Sequence, residues 1–251
     1  MPLPARGFDP TETGVPWRVL TERGHDVVFA TPDGELGAAD PLMVTGKGLG
    51  LLAPFLRANA EGQAAYAAMT ASGAFRAPLP YAAIRAHDFD AILLPGGHAK
   101  GMRPYLESPV LQGHVATFFA GDKPVGAICH GVVLAARSKT ASGSSVLRGA
   151  KTTALTRQME MTAWRLTSLT LGDYYRTYPV TVEDEVRAAL AQADDFVQGP
   201  MSLARDSLAR LERGFIVRDG NYLSARWPGD AHKFAVEFDQ MVREGAVSRR
   251  R

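Results

Sequence analysis

Apolar residues recur along this chain in short runs that are apolar at consecutive positions rather than at alternate ones. Asp26-Val27-Val28-Phe29-Ala30-Thr31 is closed by Pro32-Asp33-Gly34, Phe89-Asp90-Ala91-Ile92-Leu93-Leu94 by Pro95-Gly96-Gly97, and Pro124-Val125-Gly126-Ala127-Ile128 by Cys129-His130-Gly131. Runs of this kind, ended by turn residues, predict parallel strands covered on both faces. The segments between them change period. Residues 11–23 place Val15, Val19 and Leu20 at helical spacing with Gly24 just beyond, and residues 110–119 follow Glu107-Ser108-Pro109, a helix-start signal. Near the end, residues 214–218 and 221–225 flank Asp219-Gly220, which predicts a hairpin. A last helix then carries Phe234, Phe238 and Val242 on one face. Repeated β-α-β units of this order predict an α/β fold with a doubly wound, mostly parallel sheet.

Two stretches break the alternation. Residues 40–80 hold Gly46, Gly48 and Gly50 and then an alanine-rich helix around Ala60 to Met69, while residues 156–210 are polar and largely helical. Both are expected to be helical cap insertions over one end of the sheet, within a single domain spanning 1–251. The opening is unusual for a doubly wound domain: only Pro2 to Ala5 precede Gly7, so the first strand is expected to be truncated or very short.

Composition narrows the function classes. At 251 residues, 46% hydrophobic and 22% charged, the chain has enough apolar material for one large core. A net charge of +2, part of it in the terminal Arg249-Arg250-Arg251, leaves no basic field for nucleic acid. No apolar run reaches the roughly 20 residues of a membrane helix, and the N-terminal residues lack a signal-peptide core. A cytoplasmic location is the expectation. One cysteine excludes an internal disulfide and a cysteine-based zinc cluster. No acidic cluster has a histidine at metal-ligand spacing, and Gly96-Gly97 lacks the Lys-Ser/Thr of a phosphate loop. No metal, nucleotide or other cofactor is therefore predicted.

That cysteine is the chemical signal. Cys129 falls where an apolar strand meets an apolar helix, the geometry of a nucleophile elbow, at the carboxyl end of a central strand where open α/β sheets bind ligands. A free cysteine is more often a small buried hydrophobe, but this context favours a reactive one. The helix N-terminus is expected to lower the thiol pKa.

With these residues in place the chain resembles the ThiJ/PfpI superfamily of class I glutamine amidotransferase-like proteins, and within it the capped glyoxalase III and chaperone branch. Four ordered stretches carry the likeness: residues 9–17 with 24–34 after them, Leu94-Pro95-Gly96-Gly97-His98, Ala127-Ile128-Cys129-His130-Gly131, and Asp219-Gly220-Asn221-Tyr222-Leu223 leading to Pro228. Val132, where many members have proline, and Ala99-Lys100-Gly101 after the Pro-Gly-Gly-His run depart from the pattern. The resemblance implies a flavodoxin-like sandwich and a homodimer. It implies Cys129 as nucleophile, His130 as the adjacent proton carrier, Glu12 as the acid on the sulfur, Gly97 as an oxyanion donor and Glu160 as the acid that orients His130. His98 is suited either to substrate binding or to capping a turn. A carboxyl buried beside the sulfur is expected to stay protonated, within about 3–3.5 Å of it.

The implied function is glutathione-independent conversion of a small aldehyde or 2-oxoaldehyde such as methylglyoxal to a 2-hydroxy acid, with deglycase activity on glycated amines. A non-enzymatic redox sensor or stress chaperone that oxidises Cys129 is the second reading. An amidotransferase or peptidase is the third, weakened because the late His232 is followed by Lys233-Phe234 and not by a catalytic Glu.

Overall fold

In a computed structural model the chain folds as an α/β protein with mostly parallel pairing, and the structure describes residues 1–248. The Arg249-Arg250-Arg251 tail lies outside the described residues. The strands are β1 (Arg6–Phe8), β2 (Ala30–Thr31), β3 (Ala38–Ala39), β4 (Leu79–Pro80), β5 (Ile92–Leu94), β6 (Val125–Ile128), β7 (Ile216–Asp219) and β8 (Tyr222–Ala225). Their ladders run β1-β3, β2-β4 and β5-β6-β8-β7, and only the β7–β8 pair is antiparallel. The longer helices are α1 (Pro10–Glu22), α2 (Ala60–Ala71), α3 (Pro109–Ala120), α4 (Gly131–Arg137), α5 (Arg157–Leu171), α6 (Val182–Ala189) and α7 (Ala231–Ser248).

Several expectations shift in detail. The run at 26–31 forms ladder pairs only at Ala30 and Thr31, although Phe29 O still accepts from Leu79 N–H at 2.9 Å. The opening segment is indeed short: Pro2 makes an isolated parallel bridge to Ala30, and the regular strand spans Arg6–Phe8. In the hairpin Asp219 pairs with Tyr222, so the turn residues are Gly220 and Asn221, one position later than expected. Gly220 takes φ +56°, which suits glycine in a two-residue hairpin.

The central strands are buried along their whole length because helices cover both faces. Gly126 in β6 leaves the space in which Phe234 and Phe238 of α7 lie on the sheet, since a Cβ there would stand 2.8 Å from the Phe238 ring. Those rings stack at 6.2 Å, which is the packing behind the four-residue spacing seen in the sequence. On the other side α2 lies against α1, close enough that a Cβ at Gly14 would meet Tyr66 N at 2.7 Å. A smaller apolar cluster of Met43, Leu49 and Tyr175, with Trp164 and Leu171 against it, joins the segment after Asp40 to α5. Beyond α6 the chain to Arg213 holds only isolated 3-10 turns, so the stretch 156–210 is less helical than its composition suggested.

The tightest joint is at Gly131, the first residue of α4. A Cβ there would stand 2.0 Å from Leu94 O, so the β6–α4 turn is pressed directly against the end of β5. Gly131→Ala is expected to cost at least about 2–3 kcal/mol by overpacking. Gly113→Ala, on an open face of α3 with nothing within 4 Å, should add roughly 0.5–1 kcal/mol through helix propensity. Thermal melting of the pair checks both signs, and equal stability of the two variants would contradict the packing at the joint.

Candidate active site

Asp9 starts α1 by accepting the N–H groups of Thr11 (2.7 Å) and Glu12 (3.0 Å) on Oδ1, with Pro10 at the first helical position. That cap fixes Glu12 in the first turn, facing inward and wholly buried. Its Oε2 accepts the Gly96 N–H at 3.0 Å, from the loop that ends β5; its Oε1 is buried without a hydrogen-bond partner among the described residues, and the carboxyl lies close enough to Cys129 to raise the proton affinity of the thiol. A backbone bond from Asp9 N–H to Gly96 O at 2.9 Å ties the same two segments. Gly96 has no room for a side chain, since a Cβ would meet both His130 N (2.7 Å) and Glu12 Oε2 (2.8 Å).

Cys129 sits between β6 and α4 with φ +57°, the left-handed conformation expected of an elbow and strained for a residue with a Cβ. Its N–H is held by Ala225 O of β8 at 3.0 Å. Its Sγ lies 3.5 Å from His130 Nδ1. Glu12, Cys129 and His130 are therefore one contiguous, water-excluded cluster. Gly97 follows Gly96 against β1, where a Cβ would be 2.6 Å from Gly7 O.

Burial governs the protonation of this cluster. It pushes the Glu12 carboxyl well above the usual carboxylate range, helped by the negative charge of Asp9. It pushes the Cys129 thiol up as well, reversing the expected lowering. The α4 N-terminus and the His130 N–H favour the thiolate, but a seven-residue helix does not offset complete loss of water plus the carboxyl groups of Glu12 and Asp9. Burial also drives His130 well below its ordinary value, with His98 and Arg137 adding to the effect. Burial thus favours the neutral form of all three groups.

Glu160 lies elsewhere in the hydrogen-bond network. It is in the first turn of α5, its Oε2 accepts Val182 N–H at 2.9 Å, and Arg176 Nε stands 3.9 Å from Oε1. His130 is not among its partners. The imidazole instead points its Nδ1 at the sulfur and meets the His98 ring edge-on at 5.2 Å. His98 in turn contacts the Tyr175 ring at 4.9 Å, and burial lowers its pKa to about 4. A cavity of about 310 Å³ opens beside His98 and Asp9, lined largely by apolar side chains from the segment after Asp40, from α5 and from residues 201–203. Tyr105, whose buried hydroxyl has no partner and whose pKa is raised in part by Glu12, and Tyr175, Arg205 and Trp227 around the cavity were not singled out from sequence. Only the Asp9-Pro10 start signal could have flagged Asp9 itself.

Burial raises Glu160 to about 7. The folded state thus holds this proton more tightly than the unfolded chain, so its stabilising effect is complete below the ordinary carboxylate range and is lost as pH rises through about 7. Glu160→Gln keeps the acceptor for Val182. Relative to it, wild type should lose on the order of 2 kcal/mol between about pH 5 and about pH 8, read from melting curves. A difference that does not change with pH would contradict the buried, proton-holding environment.

Comparison with known proteins agrees with this architecture. The model of the family described as ThiJ/PfpI family-like matches residues 3–200. A protein named a deglycase from Thermococcus kodakarensis is 26% identical over 241 residues, covering 96% of this chain and 97% of its own, and one from Pyrococcus horikoshii is 23% identical over the same shares. Among solved structures, glyoxalase III from Candida albicans superposes with a TM-score of 0.61 at 17% identity, covering 96% of this chain and 95% of its own. The fold, the elbow and a family match over most of the sequence together place this chain in the ThiJ/PfpI family.

Proposed function

We propose that the chain is a cysteine-dependent, glutathione-independent enzyme that converts 2-oxoaldehydes such as methylglyoxal to 2-hydroxy acids. The observation that carries this reading is the buried cluster in which Cys129 Sγ lies 3.5 Å from His130 Nδ1 and the Glu12 carboxyl is close enough to raise the proton affinity of the thiol. Two proton carriers flanking one nucleophile are what an internal redox rearrangement of two adjacent carbons needs. The deglycase names of the archaeal relatives and the glyoxalase III name of the fungal neighbour support the same carbonyl chemistry.

The neutral resting state fixes the order of events. The Sγ lone pair forms the S–C bond to the aldehyde carbon as the thiol proton passes to His130 Nδ1 and the carbonyl oxygen takes the Glu12 proton. The product is a hemithioacetal. Glu12, now a carboxylate, removes the proton on that carbon while protonated His130 gives its proton to the neighbouring ketone oxygen, which yields an enediol. Glu12 returns its proton to the second carbon, His130 takes the hydroxyl proton of the first, and a thioester of a 2-hydroxy acid results. Water then adds its oxygen to the thioester carbon and gives a proton to the Glu12 carboxylate, the S–C bond breaks, and the sulfur recovers its proton from His130, so that all three groups return to their starting forms. The sum is one 2-oxoaldehyde plus one water giving one 2-hydroxy acid, with no external reductant. Exclusion of water strengthens each of these hydrogen bonds and protects the enediol.

A buried neutral thiol is a poor peroxide sensor, because oxidation follows exposure and thiolate character. His232 bonds Asp206 at 3.0 Å and not Cys129, which offers no dyad for amide transfer.

Incubation with methylglyoxal in the absence of glutathione should yield lactate. Cys129→Ala should abolish it, and Glu12→Gln, which keeps the Gly96 contact but cannot cycle a proton, should lower kcat by at least about 10²-fold. Lactate formation that survives Cys129→Ala would overturn the reading.

A further inference from the structure

The cavity beside His98 is large for a three-carbon substrate and carries polar atoms that its own chain leaves unused. Four of its lining residues hold a buried polar atom with no hydrogen-bond partner among the described residues: His98 Nδ1, Tyr175 OH, Arg205 Nη1 and Trp227 Nε1. Buried donors are ordinarily paired, so four such atoms around one cavity point to a ligand that pairs them.

Arg205 is the decisive member. Its Nη2 donates to Phe55 O at 3.3 Å and Arg57 O at 3.1 Å, and its guanidinium lies over the Trp227 ring at 5.3 Å, but it has no salt bridge among the described residues. The carboxylates whose charge it feels are engaged elsewhere. Asp9 caps α1, Glu12 Oε2 holds Gly96 N–H, and Asp206 accepts from His232 Nδ1 at 3.0 Å and from Lys233 N–H at 2.7 Å. A largely buried cation without a salt-bridge partner is costly, and a bidentate oxyanion is the ligand that its planar fork fits. The remaining wall is hydrocarbon, including Leu52, Phe55, Met159 and Leu166, of which Phe55 and Leu166 are exposed by 68% and 60%. Asp9 also lines the cavity, and its charge is felt by Arg205 as well as by Cys129.

We propose that this cavity is a carboxylate subsite: Arg205, backed by Trp227, holds the carboxylate of an amphiphilic carbonyl compound whose hydrocarbon lies on the apolar wall and whose carbonyl faces His98 and Cys129. This assignment rests on the preceding reading of the thiol site for the carbonyl end, and on the unpaired guanidinium alone for the carboxylate end.

Hexanoate and hexanamide, equal in chain length and different in charge, are the probes. Titration calorimetry on the full chain, with intrinsic tryptophan fluorescence in parallel, should give hexanoate at least about tenfold tighter binding than hexanamide, the worth of a charge-assisted pair. Arg205→Gln should erase that preference, and hexanoate should compete with methylglyoxal turnover in the wild type. Equal affinity of the two probes for the wild type overturns the subsite, and so does a preference that survives in Arg205→Gln. The wild-type comparison decides even where the variant does not fold. Preferential hexanoate binding without any methylglyoxal turnover keeps the subsite and removes the proposed reaction. Turnover without preferential binding removes the subsite alone.

Discussion

The complete burial of Glu12 and Cys129 is the constraint on which the rest of this molecule depends. Three titratable groups meet in a space where any isolated charge is unfavourable, so each is held in its neutral form. Such a cluster persists only if the backbone around it leaves no gap. The loops that follow β1, β5 and β6 are accordingly locked to one another. Asp9 N–H bonds Gly96 O, Gly96 N–H bonds Glu12, Cys129 N–H bonds Ala225 O, and Gly131 presses on Leu94 O. The same close approach that strains Cys129 into a left-handed conformation also turns its sulfur toward α1. The fold and the chemistry thus share one set of contacts.

Sequence reading recovered what local pattern encodes. The apolar runs before Pro95 and Cys129 are strands because both of their faces must be dry, and the helix that carries Glu12 announces itself through Asp9-Pro10 and the spacing of Val15 and Val19. What it missed depends on distant parts of the chain. The thiol pKa was inferred from the adjacent helix, a local term, whereas its direction is set by burial under segments far away in sequence. Glu160 enters the site only through the family resemblance, whereas its partners, Val182 and Arg176, are chosen by how α5 meets α6. Tyr175, Arg205 and Trp227 carry no shared spacing, and only folding brings them around one cavity.

Asp9 shows how a structural residue can govern a reactive one. Its carboxylate is satisfied by the first N–H groups of α1, which alone would make it a helix cap. Yet it is buried, and its negative charge lies close enough to raise the proton affinity of both Glu12 and Cys129. The cap therefore biases the neighbouring acid toward its protonated form and the sulfur toward the thiol. A helix N-terminus usually favours anions near it, and here that preference is used up by Asp9 itself. At the sulfur the pull of the α4 N-terminus is outweighed by burial and by the carboxyl groups of Glu12 and Asp9. A thiol in that setting reacts when a base takes its proton during bond formation, and the imidazole beside it, kept neutral by the same burial, is in the right state to do so.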